Sequence, residues 1–175
     1  SWMKRSSTLA SWPLRILIHL VGLLPWVEWL IRWRLDELTF NPIQYSVQFF
    51  GRAAIHLLTV ALAVTPLITL TGWKVLARHR RALGLYAFAA FAVHFFTFAV
   101  LDYGLDLVEI TRLTVEKPYI IFGSLAGLIL LALAITSSRY WMKRLGKKWS
   151  LLHRLVYLAG ILTVIHYALA VKGSL

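Results

Sequence analysis

Histidine is the residue type here that could do chemistry, and this 175-residue chain has six, at positions 19, 56, 79, 94, 153 and 166. Imidazole can hydrogen-bond, carry a proton or ligate a metal, and which of these it does depends on what the chain places around it. Two of the six lie in one apolar stretch, LLHRLVYLAGILTVIHYALAV, which runs from Leu151 to Val171 and holds His153, Arg154 and His166. The chain has no cysteine, which removes disulfides, thiolate ligation of haem or zinc, CxxCH haem attachment and iron–sulfur clusters. Any haem would therefore be bound noncovalently.

The elements that must position these rings are membrane spans. Hydrophobic residues make up 59% of the chain and charged residues 15%, with mean hydropathy +0.71, outside the range of soluble domains. A bilayer core of about 30 Å needs roughly 20 apolar residues in helix. Five segments approach that length, at about 13–31, 53–73, 82–101, 118–137 and 150–171. The expected fold is all-α, an integral membrane bundle of about five helices forming one domain over residues 1–175, with no linker and no fixed-period repeat. Pro66 is expected to kink the second span, and Pro118 suits the first turn of the fourth. Pro25 and Glu28 follow the basic N-terminus without a small-residue cleavage site, so a retained first span is expected rather than a removed signal peptide.

The net charge of +12 is topological in origin. Lys4, Arg5 and Arg15 precede span one, Lys74, Arg78, Arg80 and Arg81 join spans two and three, and Arg139, Lys143, Arg144, Lys147 and Lys148 join spans four and five. The other two connections carry Asp36, Glu37, Asp102, Asp106, Glu109 and Glu116. The positive-inside rule then puts the N-terminus in the cytoplasm, and the basic loops against anionic lipid rather than nucleic acid. The tryptophans fall at span ends or beyond, as interfacial anchors do.

Depth sorts the histidines. At about 1.5 Å per residue, His94 lies about 18 Å into span three and His166 about 24 Å into span five, while His153 lies only about 5 Å in. Helix tilt absorbs the mismatch between the first two, so they can face each other across one haem. Two imidazole ligands fill both axial positions, which suits electron transfer and leaves no place for oxygen. Met3 and Met142 lie outside the spans, which argues against a histidine–methionine pair. His153, nearer the cytoplasm, suits a second haem, with His19 in span one a possible partner; interhelical hydrogen bonding is the competing role for both. His56 rivals the outer pair on depth alone, and His79, in RHRR, reads as a loop residue at the interface. Arg52 on the outer side and Arg81 and Arg154 on the inner side are candidates for haem propionates, with lipid phosphate as the alternative. Gly127 and Gly160 permit close helix approach.

The segments LIHLVGLLP, VTPL, RRALGLYAFAAFAVHFF, EKPYIIFGSLAGLILLALAITS and RLGKKWSLLHRLVYLAGILTVIHY together resemble the MsrQ (YedZ) family. These are haem-binding membrane subunits of the bacterial periplasmic methionine sulfoxide reductase system, within the ferric-reductase-like transmembrane superfamily. The resemblance, over about residues 14 to 172, implies b-type haem in an inner-membrane bundle. It implies electrons taken from a cytosolic flavin reductase or quinol and delivered to a periplasmic molybdopterin methionine sulfoxide reductase. It also marks His94, His153 and His166 as haem-associated, matches His19 to a family histidine, and brings FMN as a possible second cofactor without identifying its site. Family members generally have a sixth span after the point where this sequence reads VKGSL; either the sequence is a piece of a longer chain or this version works with five. Two other classes remain open from the residues. A proton or ion transporter would use His19, His94 and His166 as a relay, yet the span centres carry no Asp or Glu. A membrane scaffold would use the histidines only as hydrogen-bonders.

Overall fold

The computed structural model describes residues 11–172, and the described residues are helical throughout apart from short connections, with no strand among them. The basic residues Lys4 and Arg5, with Trp2, Met3 and the terminal GSL, lie outside the described residues. Helix α1 spans Ser11–Arg34 and α2 Pro42–Thr71; a 3-10 turn, Lys74–His79, leads into α3, Arg80–Phe96. A π-helical turn, Thr97–Asp102, extends α3, after which come α4, Leu107–Glu116, and α5, Tyr119–Ile135. Helices α6, Arg139–Leu145, and α7, Lys147–His153, precede the last, α8, Leu155–Lys172.

Local chemistry sets these limits. Asn41 caps α2 by accepting from the Gln44 N–H at 3.1 Å, and Pro42 follows in the first turn, where its missing N–H is no loss. The same helix ends at Gly72, which takes φ +73° and returns its N–H to the Ile68 carbonyl at 2.8 Å. Asp106 caps α4 through the N–H groups of Val108 and Glu109, each at 3.0 Å. Pro66 does not end α2, which continues past it to Thr71.

Among the described residues, four segments are long and apolar enough to cross a membrane: Trp12–Arg34, Pro42–Thr71, Lys74–Asp102 and Lys147–Lys172. A fifth arises if α4 and α5, bent by 116° at Lys117–Pro118, count as one broken span. The all-α membrane bundle expected from the sequence is therefore what the chain forms. Two details differ from that expectation. Helix α2 starts at Pro42 rather than near residue 53, because the polar residues Gln44, Gln48 and Arg52 face a cavity instead of ending the helix. The last span is assigned in two pieces, with Arg154 as a turn residue between α7 and α8.

The core is built from small residues and a few large ones. Phe50, Ala53, Leu57 and Leu58 of α2 meet Ala87 and Ala90 of α3, Leu130 of α5 and Ala159 of α8. Alanines at these crossings let backbones approach, as expected where lipid removes any hydrophobic drive between helices. Leu83 is the one large side chain among the described residues that is fully buried. The outer surface is apolar, with Leu70, Leu128, Ile161 and Val164 all exposed, as suits contact with acyl chains. Helix α2 packs along α3 and α5 along α8, so the interior lies between two helix pairs.

Candidate functional site

His94 comes from α3 and His166 from α8, one from each pair, and their rings meet in the interior with centroids 6.3 Å apart and planes at 80°. Each ring is fixed by a backbone carbonyl of the helix beside it. His94 Nδ1 lies 2.7 Å from the Val47 carbonyl of α2, and His166 Nδ1 lies 2.7 Å from the Tyr119 carbonyl of α5. A carbonyl can only accept, so Nδ1 must carry the proton in both rings. In the neutral ring the lone pair is then on Nε2, the usual arrangement of a metal-ligating histidine whose other nitrogen is tied to a carbonyl.

Both rings line one cavity of about 1100 Å³. Its wall is apolar where Leu58, Phe91, Phe95 and Leu130 contribute, and it becomes polar where Gln44, Gln48, Arg52, Lys117 and Lys172 contribute. The volume lies just above the usual range for small-molecule and cofactor pockets, roughly 300–1,000 Å³. With a metal–nitrogen bond of about 2.0 Å and a ring centroid roughly 1.1 Å behind each nitrogen, imidazoles on opposite sides of one metal have centroids about 6.2 Å apart. The observed separation fits an iron held between them. An apolar slot whose polar lining sets Arg52, Lys117 and Lys172 beside Asp102 and Glu116, a net excess of one cation, also fits a flat, hydrophobic macrocycle with carboxylate tails.

The other sequence candidates are distributed differently. Arg52 lines this cavity, whereas Arg81 and Arg154 do not. Lys117 and Lys172, which sequence reasoning had passed over, do line it; their position just beyond the ends of two spans was the available signal. His56 is exposed on α2 and is not part of the wall, which separates it from the pair it rivalled on depth.

His153 sits in a contact of its own. Its ring stacks on Trp149 at 4.0 Å, and its Nε2 lies 3.1 Å from Thr136 Oγ1. Thr136 Oγ1 donates to the Ala132 carbonyl at 2.7 Å, so it accepts from His153, and Trp149 Nε1 donates to the Thr136 carbonyl at 2.8 Å. Thirteen residues of helix leave His153 about 140° off register from His166, and it meets Thr136 beyond the end of α5 instead. His19 pairs with Tyr86, Nδ1 to hydroxyl 2.9 Å, and does not join His153. His79 ends the connection Lys74–His79 at the base of α3, as expected, but is 5% exposed there, and no hydrogen bond reaches its Nε2. The tryptophans also do more than anchor, since Trp26 and Trp29 pack against Phe50 in the core.

Comparison with known proteins places the chain among relatives. Residues 50–164 match the family model described as the ferric reductase like transmembrane component. A protein from Bordetella parapertussis, named protein-methionine-sulfoxide reductase heme-binding subunit MsrQ, is 39% identical over 151 residues, covering 86% of this chain and 73% of its own. Proteins of the same name from Pectobacterium atrosepticum and Pectobacterium carotovorum are 42% and 41% identical over 162 residues, each covering 91% of this chain and 80% of its own. No solved structure matches.

Proposed function

The chain belongs to the ferric reductase like transmembrane component family, as a member of its MsrQ group, and on that premise we propose that it is a membrane subunit that carries electrons on b-type haem held by His94 and His166. The observation that carries the reading is the pair of Nδ1-anchored imidazoles at 6.3 Å inside a cofactor-sized cavity.

Haem would supply a one-electron couple at mid-depth in a bilayer that otherwise bars charge. The protein's part is positional. The carbonyls of Val47 and Tyr119 hold both rings in the tautomer that offers Nε2. The apolar wall of Leu58, Phe91 and Leu130 excludes water, and Arg52, Lys117 and Lys172 offer cations to propionates at the polar end. With His94 and His166 both holding it, a bound iron would have no place left for oxygen.

In the full scheme the subunit lies in the bacterial inner membrane with its N-terminus in the cytoplasm. It receives electrons from a cytosolic flavin reductase or a quinol and passes them to a periplasmic molybdopterin methionine sulfoxide reductase. The names of the relatives, each the heme-binding subunit of a protein-methionine-sulfoxide reductase, support a reductase of that kind as acceptor; its periplasmic place and molybdopterin, the donor and FMN rest on family resemblance alone. His153 stays the candidate ligand for a second, inner haem, which would have to replace its bond to Thr136. A proton relay through His19, His94 and His166 has less support, since His19 pairs with Tyr86 on another part of the bundle.

The test is a spectrum. Chain purified from haem-replete cells should show a Soret band that sharpens and shifts on reduction, and pyridine should extract unmodified haem b. A colourless preparation would contradict the reading.

A further inference from the structure

The two halves of the site repeat one another. The acceptor carbonyl and its histidine are separated by 47 residues in both cases, Val47 to His94 and Tyr119 to His166. Four residues after each acceptor stands a glycine, Gly51 and Gly123, and seven residues further a buried leucine, Leu58 and Leu130. Seven residues before each histidine stands an alanine with no exposed surface, Ala87 and Ala159. Five positions thus correspond, each helix pair contributing one imidazole by the same device.

The glycine is the part of the device with a physical necessity. In a helix the Cα–Cβ bond tilts toward the N-terminus, so the side chain at one position covers the carbonyl four residues earlier. With a side chain there, the carbonyl is screened from a neighbouring helix; with glycine it is open. A Cβ on Gly51 would lie 2.9 Å from His94 Nδ1, and one on Gly123 would lie 2.6 Å from His166 Nδ1, both closer than real Cβ atoms come. By contrast, nothing lies within 4 Å of a Cβ built on Gly84.

We propose that Gly51 and Gly123 are positioning residues of the haem site, which open the Val47 and Tyr119 carbonyls to the two histidines and so aim both Nε2 atoms at one iron. This rests on the haem reading above. A methyl group at either position pushes the ring off its carbonyl and the nitrogen off the metal axis.

The experiment uses the full chain in detergent, with Gly51→Ala, Gly123→Ala and Gly84→Ala compared for haem per chain, optical spin state and thermal stability with and without haem. Loss of an outer contact that orients a ligand costs about tenfold or more in metal affinity. Haem retention should fall by that factor in Gly51→Ala and Gly123→Ala, more severely in the second, with remaining haem shifted toward high spin, while Gly84→Ala matches wild type. Alanine is the better helix former, so the haem-free variants should be at least as stable as wild type. Wild-type spectra in both alanine variants would overturn the proposal, as would equal destabilisation or failure to fold without haem, since the glycines would then serve packing. A wild-type chain without haem would instead sink the reading on which the proposal stands.

Discussion

The ring planes of His94 and His166 stand at 80° to each other, because each is set by a hydrogen bond to a different helix rather than by its partner. When axial imidazoles on low-spin ferric haem are crossed in this way, two iron orbitals become nearly equal in energy. Electron paramagnetic resonance at liquid-helium temperature should then show one broad, strongly anisotropic low-field feature. A rhombic three-line signal would mean that the rings turn parallel on binding.

His153 is held by Thr136 and Trp149 and does not line the cavity that contains the other two rings. The His153→Ala variant should keep the low-spin signal of the His94–His166 haem intact, even if total haem per chain falls through loss of an inner haem. Disappearance of that signal would place His153 in the outer site.

Of the three arginines suggested by sequence, Arg52 alone shares the cavity with the paired histidines. A cation beside the haem favours the reduced state, which carries one positive charge fewer. Arg52→Gln should lower the midpoint potential by about 59 mV for each tenfold change in the one-electron equilibrium, a drop on the order of tens of millivolts in redox titration. Arg81→Gln and Arg154→Gln should leave the potential of this haem unchanged. Equal shifts from all three would point to a long-range surface effect.

Orientation can be tested because the chain has no cysteine of its own. In intact cells a membrane-impermeant maleimide should label Asp106→Cys directly and Lys143→Cys only after permeabilisation. The reverse pattern would invert the bundle and place the polar end of the cavity on the cytoplasmic side.

Apolar runs and basic connections made the bundle legible because they report on the bilayer, which acts on every residue alike. That His94 and His166 share a depth was legible too, since depth follows from counting along a helix, although counting left His56 as a rival. What counting could not supply was the partner of each Nδ1: the carbonyls of Val47 and Tyr119 are backbone groups, and no residue type announces them. The correspondence between the two halves escaped notice for a related reason, being spread over five positions within long unlike stretches. The turn at Arg154 and the π-turn after Phe96 have no Pro or Gly to announce them, and the burial of His79 is hidden by its charged neighbours Arg78 and Arg80.

The central claim is that one iron is clasped by the imidazoles of His94 and His166. Haem quantitation with optical spectra on His94→Ala, His166→Ala and His56→Ala, each purified as full chain, tests it most directly. The account predicts that either of the first two loses the low-spin haem of this site, while His56→Ala keeps it at wild-type level. Retention of that signal in His94→Ala or His166→Ala, or its loss in His56→Ala, would contradict the account.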